Sequence, residues 1–436
     1  MKNPIFKDFL KYTSLNIIGM IGLSCYILAD TFFVANALGP NGLAALNFSI
    51  TVFCLISGAG LMTGIGGATE FSIMKSRNHN KEENSSFYHC VVMGGIFSIV
   101  FILIGIFFSG KLAGFLGADS DTLPMTRTYL TTILCFAPCY ILNNILVAFV
   151  RNDDNPSLSM TAMMVSSLSN IVLDYVFMYP MNMGMFGAAF ATGLSPVISM
   201  SVLSLHFIKK KNSFHFKRCT LHIKRAVNIL TLGFSAFIGE LASSVTMLVF
   251  NLVILKLEGN IGVAAYGVVA NVAFVAASIY TGISQGVQPL ASKSYGGGDS
   301  ENLKSLLKYA VCSSLLISLV VYVFVFTMAK GITGIFNGEK DMQLMRLSVE
   351  GLKIYFLGYF FAGINIVLCS FLSAISKASK SLIIALLRSC ILLVPAVLIL
   401  SNVLRMRGVW MSFVITEAVT LIIAVMVMRK GKDGII

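Results

Sequence analysis

Stretches of roughly 20 apolar residues, the length at which a helix can cross a bilayer, follow one another from the first residues of this chain to the last. They fall at about 13–37, 46–72, 88–109, 128–150, 158–180, 186–208, 228–256, 263–290, 305–329, 348–373, 380–401 and 407–428. Only 12% of the 436 residues are charged, where soluble domains carry about a quarter. The chain is therefore read as an all-α polytopic membrane protein with twelve transmembrane helices. The first stretch lacks a small-residue cleavage site and contains Asp30, so it is read as a retained span and not a removable signal peptide.

Lys and Arg collect in alternate inter-span segments: Lys2, Lys7 and Lys11, then Lys75, Arg77 and Lys81, then Arg151, then Lys209 to Arg225, and finally Arg429, Lys430 and Lys432. Basic loops stay on the cytoplasmic side, which predicts that both termini are cytoplasmic and that the protein lies in the plasma (cytoplasmic) membrane. The net charge of +13 is then a topology signal. It forms no face interleaved with aromatics, so no nucleic-acid partner is expected. Nine cysteines, most within apolar stretches and without metal-ligand or CxxC spacing, read as buried thiols.

Two halves of the chain resemble one another. Gly42-Leu43-Ala44-Ala45 returns as Gly262-Val263-Ala264-Ala265, Thr63-Gly64-Ile65 returns as Thr281-Gly282-Ile283, and Asn143 has a weaker counterpart in Asn365. The simplest account is an N-lobe over 1–208, a cytoplasmic basic linker over 209–226 and a C-lobe over 227–436. Lobes with an even number of spans begin on the same side, so the repeats run parallel about a pseudo-two-fold axis along the membrane normal, with a cavity expected between them. That organisation suits a transporter and not an enzyme. Gly105 to Lys111 has the GxxxxGK spacing, but Leu112 stands where a phosphate-binding loop needs Ser or Thr, and no HExxH or paired CxxC occurs.

Carboxylates in mid-span are expensive, at about 2.5 to 3.5 kcal/mol on insertion scales, so each must face a cavity or a partner, or be protonated. Asp30, Asp174, Glu240 and Glu417 are in this position. Asn170 precedes Asp174 by one helical turn, which puts both on one face. Together they are placed to meet Asp30 within the first lobe. Two carboxylates there can take up a proton, since each raises the other's proton affinity, or, with Asn and Thr oxygens beside them, hold Na+ at Asp30 and Asp174. Both ions stay open, and so does a purely structural interhelix hydrogen bond. Glu70, near Lys75, reads as one half of an interfacial ion pair. Glycine and alanine in spans 2 and 8, including Gly60, Gly64, Gly66 and Gly286, read as close helix packing.

Specific wording carries a resemblance. Ala29-Asp30-Thr31-Phe32-Phe33-Val34-Ala35 with Leu38-Gly39-Pro40, Arg151-Asn152-Asp153-Asp154-Asn155-Pro156, Asn170-Ile171-Val172-Leu173-Asp174 with Gly184 and Gly187 to Thr192, and Gly282 to Leu290 with Tyr295-Gly296 resemble the multidrug and toxic compound extrusion (MATE) family over nearly the whole chain, most of all its MepA-like bacterial branch. The resemblance implies a V-shaped antiporter of MATE/MOP-like fold that exports drugs as protons or sodium ions enter. It implies a cation-coupling set of Asp30, Asn170, Asp174 and Thr192. Asn144, Glu240, Gln285 and Glu417 are expected to line the substrate cavity.

The sequence departs from the family in two places. Leu15 stands where many relatives carry proline, and the seventh-helix glutamate of some relatives falls about one turn after Glu240, near Ser243. The expected function is thus cation-coupled export of cationic or amphipathic organic compounds, with no cofactor beyond the coupling ion and with small-molecule drugs or organic cations and the lipid bilayer as partners, by a monomer. The rivals are a lipid-linked precursor flippase of the same superfamily, disfavoured by the scarcity of mid-span Lys and Arg, and a membrane-embedded enzyme or receptor.

Overall fold

A computed structural model describes residues 4–77, 83–337 and 341–429. Lys2, Lys81, Lys430 and Lys432, counted above among the topology charges, lie outside these residues. The ordered elements are helical, with no strand among the described residues: α1 (Pro4–Ser76), α2 (Glu83–Phe115), α3 (Leu123–Cys135), α4 (Ala137–Asn152), α5 (Pro156–Met178), α6 (Gly184–Ile208), α7 (Ile223–Gly296), α8 (Ser300–Phe336), α9 (Met342–Tyr355), α10 (Tyr359–Ala374), α11 (Ala378–Leu386) and α12 (Leu393–Arg429).

Among the described residues eight helices are long and apolar enough to cross a membrane, nine if the bent α3–α4 pair is one span. This falls short of the twelve stretches in the sequence because several spans run on without a loop. The first two stretches join in α1, 73 residues long, and the seventh and eighth in α7, 74 residues long. Each of these helices turns at one non-helical residue, Gly39 (φ 66°, ψ −159°) in α1 and Gly259 (φ 64°, ψ −153°) in α7. That corner of backbone space is open essentially to glycine alone. A third break, at Arg405 (φ 51°, ψ −133°), divides α12. Before Gly39 the first limb of α1 has no interruption, as expected from Leu15 in place of proline.

The chain forms two compact units. The N-terminal unit holds Ser14–Leu241 and Ser292–Gly298, and the C-terminal unit holds the chain up to Thr13, Ala242–Ala291 and the chain from Asp299 on. In the N-terminal unit α5 packs along α6, and α2 along α3 and α4. Close approach is enforced by missing side chains: a Cβ at Gly66 would come within 2.0 Å of the Ile229 carbonyl oxygen, and one at Gly233 within 1.8 Å of that of Met62. The small residues of the second stretch therefore serve packing, as read from the sequence.

Of the linker expected over 209–226, residues 211–222 form a non-helical strap on the same unit, and Ile223 already begins α7. Its Phe214 is fully buried against Phe71, Phe87 and Phe149, with ring centroids 4.8–5.7 Å away. In the C-terminal unit α10 packs on α8, α11 and α12, and Tyr355 stacks on Phe413 at 4.1 Å. The cysteines are free, but the reading of them as buried holds poorly: Cys90 is buried, whereas Cys25, Cys135 and Cys390 are exposed on apolar helices.

Candidate functional site

The N-terminal unit gathers the four residues of the expected coupling set. Asp30 comes from the first limb of α1, Asn170 and Asp174 from one face of α5, and Thr192 from α6, and all four are buried. With its amide turned so that the NH2 meets the carboxylate, Asn170 donates to Asp174 Oδ2 at 3.0 Å and accepts from the Thr192 backbone N at 3.3 Å and Ser195 Oγ at 3.2 Å. Asp30 Oδ1 and Asp174 Oδ1 are buried with no hydrogen-bond partner among the described residues. The two carboxylates are close enough for each to feel the other's charge. A buried acceptor left unpaired costs about 1 to 3 kcal/mol, and here each carboxylate of the pair keeps one such oxygen.

Three phenols that sequence reasoning did not single out stand around this pair. Tyr26, Tyr129 and Tyr140 all lie within electrostatic reach of both Asp30 and Asp174. Tyr140 donates to the Thr192 carbonyl at 2.6 Å. Tyr26 was discoverable, since it precedes Asp30 by one helical turn; nothing in the spacing of α3 and α4 marks the other two.

The residues expected to line one substrate cavity divide between the units. Asn144 and Glu240 share a network in the N-terminal unit, where Ser57 Oγ donates to Glu240 Oε1 at 3.1 Å and Asn144 donates to the Ser57 carbonyl at 3.4 Å. Glu240 thus keeps company with the first lobe, although its position after the linker assigned it to the second. Gln285 and Glu417 are buried in the C-terminal unit. There Asn365 donates to Glu417 Oε2 at 2.7 Å, and Arg388 donates through Nε at 3.1 Å and an NH2 group at 2.8 Å to Oε1. Arg388 rides on a π-helical turn, Leu387–Ile391, a local widening that often marks functional positions. The span 380–401 therefore does carry a cation, one already matched to a carboxylate. Gly282-Ile283-Ser284-Gln285-Gly286 has GxSxG spacing, but it lies within α7 and not at the strand-to-helix turn a nucleophile elbow requires.

Glu70 also differs from expectation in its partner. It accepts from Ser86 Oγ at 2.9 Å and Asn228 at 3.2 Å and faces Arg225 at 3.4 Å. Lys75 turns instead to Asp153, at 2.6 Å. Around that aspartate the Arg151 to Pro156 motif acquires a physical account. Arg151 donates to Asn16 at 3.0 Å, Asn152 accepts from Ser72 at 2.8 Å, and Asn155 caps α5 by accepting from the Leu158 N–H, with Pro156 in the first turn. Asp153 receives Lys75, His206 Nε2 at 3.0 Å, and both the N–H and hydroxyl of Ser213 in the strap. Burial alone would raise the Asp153 carboxyl, but the bonds from Lys75, Ser213 and His206 outweigh it and hold it below the usual carboxylate range.

Fold and site together define a multi-span α-helical membrane protein with unpaired acidic groups buried in one unit. Residues 16–176 and 236–399 match the MatE family model, and the chain belongs to the MatE family. Among relatives, it is 27% identical to the multidrug export protein MepA of Staphylococcus saprophyticus, over 99% of this chain and 95% of the relative, and 26% identical to MepA of Staphylococcus aureus (strain MSSA476), with the same coverage. Among solved structures, a MOP superfamily transporter from Pyrococcus furiosus, described as having a binding pocket of reversed polarity that suggests a different function, superposes with a TM-score of 0.91 at 22% identity over 98% of this chain and 96% of that one. An outward-facing multidrug resistance MATE transporter of the MOP superfamily gives 0.91 at 23% identity with the same coverage.

Proposed function

We propose that the protein is a cation-coupled antiporter that exports cationic or amphipathic organic compounds across the plasma membrane as H+ or Na+ enters, acting as a monomer with both termini in the cytoplasm. One observation carries this reading: Asp30 and Asp174 lie within electrostatic reach of one another deep in an apolar unit, each with an oxygen that has no partner among the described residues. A permanent structural bond would have consumed those oxygens. A travelling cation satisfies them in one phase of a cycle and leaves them bare in the other. Asn170 steadies Asp174 by donating to its second oxygen and ties it to Thr192 on α6, and Glu240 with Asn144 offers a separate acidic contact for a positively charged cargo. The names of the MepA relatives, multidrug export proteins, support the same cargo class. A single charge falling through 100 mV releases about 2.3 kcal/mol, enough for a concentration ratio of several tens.

The flippase alternative needs surplus positive charge for a pyrophosphate. Arg388 supplies none, because Glu417 neutralises it. The test is efflux of a fluorescent organic cation from cells or proteoliposomes bearing wild-type or Asp30→Asn protein, with sodium and pH gradients imposed separately. Wild-type efflux should follow one of the two gradients and the variant should follow neither. Equal gradient-driven efflux by both would remove Asp30 from the mechanism.

A further inference from the structure

The strap joining α6 to α7 has a chemistry that drug export does not use. Between Lys209 and Arg225 there is no acidic residue, and Lys209, Lys210, Lys211, Lys217, Arg218 and Lys224 are all exposed. Interleaved with them, Phe216, Leu221 and Ile223 are 56%, 52% and 82% exposed. Exposed cations alone would be the ordinary topology signal of a loop, and a loop that only carried such a signal would have no reason to be held in shape.

This one is held at three places along its backbone and by one ring. Asp153 takes the Ser213 N–H at 2.7 Å, Asn84 takes that of His215 at 2.7 Å, and His89 Nε2 takes that of His222 at 2.9 Å. Phe214 is buried in the aromatic cluster. Among the described residues, Arg225 is the one basic residue of the stretch that faces an acid, Glu70. The remaining cations and the three apolar side chains are thus presented on a fixed frame that follows the end of α6, and Leu221, Ile223 and Lys224 among them border an open hollow with His222 and Arg225.

We propose that this strap is a docking surface for anionic phospholipid, the phosphate headgroup held by the exposed lysines and Arg218 and the upper acyl region by Phe216, Leu221 and Ile223. Charge complementarity names the occupant: a segment with six exposed cations and no acidic residue of its own attracts acidic headgroups, each nearby Lys or Arg adding to the attraction, while apolar side chains in the same segment enter the headgroup–acyl boundary. Zwitterionic lipids meet the apolar side chains but bring the cations no net negative charge, and a soluble phosphate meets the cations but not the apolar side chains. The inference is independent of which compounds the protein exports.

The experiment reconstitutes Phe216→Trp protein in bilayers of phosphatidylcholine and phosphatidylglycerol, with bromine on the acyl chains of one lipid at a time, and subtracts the signal of wild-type protein, whose single tryptophan is the buried Trp410. Quenching should show a preference for phosphatidylglycerol of about tenfold or more, falling as salt is raised and unaffected by added inorganic phosphate. Replacing the six exposed cations by Gln should bring the ratio to one, with thermal unfolding unchanged. Equal quenching by the two lipids in the Phe216→Trp protein at low salt overturns the proposal, a result that stands even if the six-fold variant fails to fold. Displacement by inorganic phosphate also overturns it, since the strap would then be a site for a soluble anion.

Discussion

Two buried acidic clusters, one in each unit, solve the same problem in opposite ways. In the C-terminal unit Glu417 has a resident cation in Arg388 and a donor in Asn365, and both of its oxygens are engaged. In the N-terminal unit Asp30 and Asp174 have each other, an amide and bare oxygens. A carboxylate with a tethered counter-charge is satisfied where it stands; one without is not. Under the function proposed above, the two units would then share a single coupling site, in the N-terminal one.

The comparison can be broken by removing charge from each cluster in turn. The largest effect is expected at Arg388. Arg388→Met leaves Glu417 buried and unpaired, which should cost about 3 kcal/mol, read as a lower unfolding temperature in detergent, and Arg388→Met combined with Glu417→Gln should recover most of it. The same operation on the other cluster should have the opposite sign: Asp174→Asn removes an uncompensated buried charge, so stability should be unchanged or rise by about 1 kcal/mol while gradient-driven export is lost. If Asp174→Asn destabilises as strongly as Arg388→Met, both clusters are structural and the distinction fails.

The smallest effect sharpens the comparison with a carboxylate that is paired but outside the spans. Asp153 is held below its ordinary value of about 4 in the unfolded chain. Its contribution is therefore present above that pH and lost as pH falls through the lowered value. Unfolding temperature should be flat from neutrality to about pH 5 and then fall more steeply in wild type than in Asp153→Asn, by under about 1 kcal/mol.

Much of this was legible in the sequence, because lipid makes two signals loud: long apolar runs and the rare charges that interrupt them. Asp30 and Asp174 were singled out in this way, Asn170 by its spacing one turn before Asp174, and Thr192 only through the family resemblance; the fold brings them into the N-terminal unit. What stayed hidden depended on partners far apart in the chain. Arg388 and Glu417 lie in different spans with no spacing rule between them, so one was passed over and the other assigned to a cargo cavity. Glu240 was placed by its position after the linker, whereas its hydrogen bond runs to Ser57. Phe214 sits in a basic stretch that reads as a tether, and only the packed aromatic cluster reveals it as an anchor. Span boundaries were blurred where glycine let a helix turn without a loop.

Gly39 and Gly259 occupy the same unusual backbone corner at equivalent places in the two halves, and neither is forced there by crowding, since a Cβ at either position would meet nothing within 4 Å. At both turns the restriction is therefore one of backbone alone: a side chain would find room, and only dihedral angles that L-residues avoid keep the position for glycine.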